Sequence, residues 1–351
     1  MEWGRYHIGD LFDVRRPAAR NKDDYTDGSV PFVASGAVNN GVMKCCEPRE
    51  GEALDEGRCI TVSPVDGSAF YQPADFLGRG GAGSSVLMLY SDEPIDEWSG
   101  QFIARMISQT CSKYTYGHMG NKEGIRRETV QLPVAPGGGP DWAYMSSFVA
   151  GLRDRLLSRY RRHAEARLAE LEHVEIPRLD EVEWRPIALS SIGTIESGRD
   201  IYETERVPGD TPYITAGSQN NGVGYFVGND NATRDRDFIA FNRNGAVGYA
   251  FYHPYWALMG NDCRKLNLGE GLDNFFVGEF VATCISMQRV CFSYSRKLGT
   301  ARAEKMKIML PIADDGAPDW AYMEQYAKNV MIEKYERWLA YIDGRKAGPV
   351  L

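Results

Sequence analysis

The chain has 351 residues, of which 43% are hydrophobic and 25% charged, and its formal net charge is −8. That length holds two ordinary domains, each with a core of its own, and the composition excludes a disordered chain. No apolar run approaches the ~18 residues that a membrane span needs, and the opening MEWGRYHIGDLF lacks an apolar signal core, so the cytoplasm is the expected location.

In chain order, PFVASGAVNNGV (31–42) comes first, and its Asn-Asn-Gly reads as a turn because these residues tolerate positive φ. Contact of these asparagines with a base or phosphate is the alternative. ITV (60–62) and SVLMLY (85–90) read as strands bounded by turn residues. Between them lie the turn Ser63-Pro64-Val65, the tetrapeptide FYQP (70–73) and the glycine-rich FLGRGGAGSS (76–85). EWSGQFIARMISQT (97–110) has Phe102 and Met106 at helical spacing. A basic, turn-rich segment (113–127) leads through Leu132-Pro133 to PDWAYM (140–145) and a long helix, for which Asp141 is a good N-cap. Along that helix Met145, Val149, Leu152, Leu156 and Tyr160 recur at spacings of 4, 3, 4 and 4, continuing towards Leu168, Leu171 and Val174.

Then the order starts again. PYITAGSQNNGV (212–223) matches 31–42 at an offset of 181 with six identities in twelve, and FYHP (251–254) matches FYQP at the same offset. FIAF (238–241) reads as a strand, and NFFVGEFVATCISM (274–287) places Phe276, Phe280 and Cys284 at helical spacing. MLPIADDGAPDWAYM (309–323) matches 131–145 at 178 with ten identities in fifteen, and Ile192-Gly193 matches Ile8-Gly9 at 184. An offset drifting only by threes is a duplication with small loop insertions. Asp319 is the second N-cap, and Met331, Tyr335, Trp338 and Ile342 form a second seam. The expected class is α+β: two tandem mixed α/β domains with pseudo-twofold symmetry, separated and joined by two long helices that form an antiparallel coiled coil. At ~30 residues each helix would be a strut roughly 45 Å long.

Net acidity hides local basic stripes. Lys113, Lys122, Arg126 and Arg127 stand against Glu123, and Arg296, Lys297, Arg302, Lys305 and Lys307 against Glu304, at equivalent places just before each Leu-Pro. Lys113, Tyr114, Tyr116, Asn121, Lys122 and Arg126, and likewise Tyr294, Arg296, Lys297, Arg302 and Lys305, are candidate DNA-facing residues; a solvated basic loop is the plain alternative. Asn242, Arg243 and Asn244, where FIAF meets a turn, are further candidates for base edges. Arg153, Arg155, Arg159, Arg161 and Arg162 line the first helix, a solvated face by default. Trp142, Tyr144, Trp320 and Tyr322, in the repeated PDWAYM, serve either to dock a partner or to pack each helix on its own domain. The seven cysteines are odd in number, have no C-x-x-C spacing and are expected to be reduced.

Two such domains alternating with two long helices, each opening on Pro-Phe/Tyr-Val/Ile-x-x-Gly and each ending on Leu-Pro-Val/Ile, resemble the specificity subunit of restriction-modification systems. The resemblance covers essentially the whole chain, and the short length and PDWAYM openings are most similar to the type IIB-like members, although type I subunits share the layout. It implies target-recognition domains over 1–139 and 178–317, a spacer helix over 140–177 and a C-terminal helix over 318–346. It further implies that each domain reads one half of a bipartite, asymmetric double-stranded DNA site. The helices would set the gap and dock methyltransferase, or fused methyltransferase-nuclease, subunits, with a restriction or translocase subunit as a further partner. By the same resemblance the specificity chain itself would carry no catalytic residue, metal or cofactor; S-adenosylmethionine and Mg²⁺ would belong to the partners, which would methylate adenine N6 and cleave.

Rival classes find little in the residues. FLGRGGAGSS lacks the Gly-Lys-Ser/Thr of a phosphate loop, the five histidines have no metal-ligand spacing, and no Asn/Asp-Pro-Pro-Tyr/Phe methyltransferase tetrad occurs. A protein-binding or DNA-mimicking module would carry acidic loops where this chain has basic ones.

Overall fold

The structure is a computed structural model that describes all residues except 82–84, 270, 273, 294 and 347–351, and excludes the side chains of 345 and 346. Two units build it, the first on Met1–Arg162 and the second on His163–Ala347, with the division falling inside the first long helix.

Unit 1 opens on β1 (Trp3–His7), a short α1 (Ile8–Leu11) and β2 (Asp13–Arg15). There follow β3 (Asp27–Val33), β4 (Val42–Cys46), β5 (Cys59–Val62), β6 (Ala69–Gln72), β7 (Leu77–Gly78) and β8 (Leu87–Tyr90). Helix α2 (Glu97–Cys111), the single-turn α3 (Lys122–Arg127), β9 (Thr129–Pro133) and α4 (Trp142–Ala169) complete it. Strand order is β2-β8-β5-β6 in a four-stranded sheet and β4-β3-β7 in a three-stranded one, while β1 and β9 pair alone. All four residues of β5 are buried, as expected of a central strand covered on both faces. Helix α2 lies on this sheet, capped by Asp96, whose carboxylate accepts from the amides of Trp98 and Ser99.

Unit 2 repeats the plan with β10 (Trp184–Ala188), β11 (Gly193–Ser197), β12 (Pro208–Ile214), β13 (Val223–Val227), β14 (Phe238–Asn242), β15 (Ala250–His253), β16 (Leu258–Met259) and β17 (Cys263–Leu268). Then come α5 (Phe275–Met287), α6 (Thr300–Glu304), β18 (Lys307–Pro311) and α7 (Trp320–Lys346). Its sheets run β11-β17-β14-β15 and β13-β12-β16, with β10 and β18 paired alone. Even the register recurs: Trp3 stands opposite Pro133, and Trp184 opposite Pro311. A shared packing device is a helix glycine against a tyrosine ring. A Cβ on Gly100 would lie 2.3 Å from Tyr71, and one on Gly278 2.2 Å from Tyr252, so only glycine lets α2 and α5 approach so closely.

The two long helices start as their sequences indicate. Asp141 and Asp319 accept from the amides of Tyr144 and Tyr322, each at 2.9 Å. The first helix ends at Ala169, however, short of the expected residue 177. Within unit 2 the following segment runs antiparallel beside α7. The Asn329 amide brackets Val174, donating to its carbonyl at 2.7 Å and accepting from its N–H at 3.4 Å. Gln325 holds the Glu172 carbonyl and Tyr322 the Pro177 carbonyl, each at 2.9 Å. Leu171 and Val174 therefore continue the apolar spacing without continuing the helix. On α4 itself Met145 is buried, whereas Leu152 and Leu156 are 41% and 58% exposed.

Candidate nucleic-acid interface

In both units the basic segment begins with the same small turn. Thr115 and His118 exchange backbone bonds in unit 1, as do Ser293 and Arg296 in unit 2. Each turn is then tethered to the loop that follows the central strand, through Gly120 N–H to the Pro64 carbonyl (2.8 Å) and Leu298 N–H to the Arg243 carbonyl (3.1 Å). Two stretches far apart in sequence thus form one surface, in the same way twice.

Unit 1 divides its candidates. Tyr114 points inward, 6% exposed, donating to Glu128, and burial together with that carboxylate pushes its phenol above the usual range. Tyr116, at the tip of the turn, is 84% exposed. Lys113 is exposed but shared with Glu128 at 2.7 Å. Asn121 caps α3 by accepting from the Gly124 amide at 2.9 Å, so its oxygen is committed. Lys122 and Arg126 lie on the surface beside Asp13, whose carboxyl is held low by its Arg15 bond against slight desolvation and, more weakly, by these two cations.

Unit 2 divides them differently. Asn242 is 2% exposed, and its amide nitrogen donates inward to the Gly217 and Ala246 carbonyls at 2.8 and 2.9 Å; this removes it from the surface where the sequence placed it. Arg243 is partly exposed and faces Asp262 at 3.8 Å, too far for a tight pair. Asn244 donates to the same Asp262 at 3.2 Å while its Oδ1 is buried without a partner. Arg296 and Lys305 are exposed, and Arg302 braces the loop by donating to the Lys297 carbonyl. Tyr294 lies outside the described residues. Sequence reasoning missed Arg264, a buried cation whose Nε donates to Thr300 Oγ1, at the start of α6, at 2.7 Å.

The PDWAYM aromatics serve mainly their own units. Trp142 packs on the core that holds Met145, Trp320 on the one that holds Met323, and Tyr322 is buried. Tyr144 remains half-buried, stacked on Phe148. Arg153 lies over the Trp98 ring at 5.0 Å, which turns one of the helix arginines back onto unit 1.

The glycine-rich stretch connects β7 to β8, strand to strand, whereas a phosphate loop leads from a strand into a helix. Among the described residues no group of three His, Cys, Asp or Glu is placed to hold a metal, and no helix is long and apolar enough to cross a membrane.

Comparison with known proteins agrees with this geometry. Residues 181–337 match the family described as the type I restriction modification DNA specificity domain. Over 330 residues, 93% of this chain and 94% of the relative, the sequence is 27% identical to S.BcgI, the specificity subunit of a type II restriction enzyme from Heyndrickxia coagulans. Both matches are to specificity subunits of restriction-modification systems. The same fold occurs in the crystal structure of the S subunit of a type I system from M. genitalium, with a TM-score of 0.57 at 15% identity, covering 99% of this chain and 93% of that one. Specificity subunits are generally non-catalytic, and the doubled scaffold here fits that family rather than a DNA mimic.

Proposed function

We propose that the chain is the DNA-reading subunit of a restriction-modification complex, each unit reading one half of a bipartite, asymmetric double-stranded site. One observation carries this reading: two basic loops, tethered by equivalent backbone bonds, present different neighbours, Pro64-Val65 in unit 1 and Arg243-Asn244 in unit 2. A frame repeated with different side chains at equivalent places is what two unlike half-sites require. Phosphate contacts would come from Lys122, Arg126, Arg296 and Lys305, and base contacts from Tyr116, Arg243 and Asn244.

Methylation of adenine N6 and cleavage would reside in partner subunits that bring S-adenosylmethionine and Mg²⁺. The end-to-end match to S.BcgI supports the short type IIB-like arrangement, in which one fused methyltransferase-nuclease chain is the partner. Phe148, Leu152 and Leu156, exposed at four-residue intervals on α4, supply an apolar stripe suited to docking it, whereas Trp142 and Trp320 are taken up by their own cores.

Methylome sequencing of cells expressing the chain with its partner is the test. Two different short half-sites with a fixed gap are expected. A single continuous palindrome would overturn the reading.

A further inference from the structure

Arg264 stands second in β17, opposite Phe241 of the central strand, with 6% of its surface exposed. Besides the Thr300 bond, its Nη1 donates to the carbonyls of Asn261 and Cys263 at 2.9 and 2.6 Å. These partners are a hydroxyl and two carbonyls. No carboxylate bonds to it: Asp262 acts on it only through its charge, and both Glu196 and Asp235 hold Lys265. Desolvation, and then the adjoining Arg243 guanidinium, lower the Arg264 pKa, yet an arginine does not lose its proton in a protein.

Burying a cation without a counter-charge in contact is costly, and the fold does not demand it. Unit 1 places Leu87 in the same register, opposite Val62 and 2% exposed. The remaining nitrogen of Arg264, Nη2, has no hydrogen-bond partner among the described residues, and 6% of the residue's surface stays exposed. That surface is the basic loop's own, since Thr300 opens α6 and Leu298 is tied to Arg243. With Nε and Nη1 committed, the two-pronged grip that reads guanine is not available. A fixed, desolvated cation with one free nitrogen suits a single phosphate oxygen.

We propose that Arg264 is a phosphate anchor of unit 2, with no counterpart in unit 1. The bound phosphate supplies the counter-charge that the protein withholds, and the three internal bonds hold the guanidinium in place before DNA arrives. The inference rests on the DNA-reading function proposed above.

It is tested by binding of the full chain, together with its methyltransferase partner, to DNA over a salt series, for the parent and Arg264→Leu. The variant copies the residue that unit 1 uses, and Arg264→Met, which keeps the stem, replaces it if the thermal midpoint shows that leucine unfolds unit 2. The expected result is roughly tenfold weaker binding to site and non-site DNA alike. The plot of log K against log salt should be shallower by about 0.9, with the methylated sequence unchanged. An unchanged slope in a folded variant would make the guanidinium a structural brace, and a changed base in one half-site would make it a base reader; either overturns the anchor. A parent complex without salt-dependent, site-specific binding would instead overturn the function on which the anchor rests.

Discussion

The four-stranded sheets of the two units share strand order and register yet keep their charges in different places. In unit 2 the second and third residues of β17 are Arg264 and Lys265, and Lys265 stands opposite Glu196 and Ala240. In unit 1 the same positions on β8 are Leu87 and Met88, with Arg15 where unit 2 has Glu196. Each unit also holds an aspartate in an equivalent isolated bridge, Asp55 to Phe76 and Asp235 to Ala257. Arg20, from the loop after β2, neutralises Asp55 at 2.6 Å and Glu52 at 2.7 Å; Lys265, from within the sheet, neutralises Asp235 at 2.7 Å. The frame requires a cation at that aspartate and is indifferent to its origin. Freed from that duty, the rest of each sheet edge can diverge, which is how one frame comes to carry two surfaces.

The strongest way to break the comparison is to move a charge across it. Leu87→Arg would bury a guanidinium in unit 1 where Lys122 occupies the place of Thr300, so a like charge replaces a hydroxyl acceptor. We expect loss of about 5 kcal/mol and collapse of unit 1, against at most about 1 kcal/mol for Arg264→Leu. Hydrogen exchange during urea unfolding reports each unit separately, and equal tolerance of the two substitutions would refute the contrast. Next in size are the two neutralising cations. Arg20→Met and Lys265→Met should each cost about 3–5 kcal/mol by stranding carboxylates. Arg20→Met should cost more, because its partners' side chains are 16% and 13% exposed whereas those of Lys265 are 29% and 53% exposed. The reverse order in urea midpoints would show that burial does not set the cost.

What the sequence made legible is local. The strands around residues 60 and 240, both helix caps and the duplicated order follow from periodicity and turn chemistry within short windows. The fate of single side chains was not legible. Tyr114 and Tyr116 look alike in KYTYG, but the bond from Gly120 to Pro64 fixes the turn so that one faces the core and the other the solvent. Asn242 ends a strand like any surface asparagine, yet two carbonyls draw it inward. Leu171 and Val174 kept helical spacing while the amides of α7 captured the carbonyls of Glu172 and Val174 just past the helix end. Arg264 and Lys265 were hidden by a length difference: β7 and β8 are joined by residues 79–86, β16 and β17 only by 260–262, so an ungapped alignment sets charged β17 against a glycine-rich loop.

A smaller contrast is sharpened by pH. Gln72, buried in unit 1, donates to the Asn40 carbonyl and to Thr61 Oγ1, both at 2.9 Å. His253 occupies that position in unit 2, with Ala240 in place of Thr61, and its Nε2 is buried without a partner while Nδ1 meets the Tyr255 hydroxyl at 3.1 Å. Burial pulls its pKa down from 6.5 to about 4. The unfolded chain therefore takes up the proton first. Unit 2 should hold its full stability above pH 6.5 and lose about 3 kcal/mol as the pH falls towards 4. Unit 1 lacks this group, and His253→Gln should flatten the dependence. Unfolding of unit 2 that stays equally pH-dependent in His253→Gln would assign the effect to other groups.

The finest test concerns the motif that first revealed the duplication. Asn39, Asn40 and Gly41 have φ of 51°, 57° and 75°, and Asn220, Asn221 and Gly222 have 52°, 52° and 73°, so each copy makes three successive left-handed residues. The glycine carbonyl then accepts from the amide of Ala34 or Thr215, closing the loop between β3 and β4 or between β12 and β13. Only in unit 1 does the second asparagine add a side-chain bond among the described residues, from Asn40 Nδ2 to the Tyr71 carbonyl at 3.0 Å. Alanine pays the left-handed penalty at both places, so Asn221→Ala should cost about 1 kcal/mol and Asn40→Ala about 2 kcal/mol. Glycine removes the penalty and isolates the bond: Asn221→Gly should be nearly neutral, and Asn40→Gly should cost about 1 kcal/mol. Equal losses for the two glycine variants would show that the Tyr71 bond contributes nothing. Unchanged stability with weakened DNA binding in both alanine variants would make the asparagines contacts rather than the hinge on which each unit's first hairpin turns.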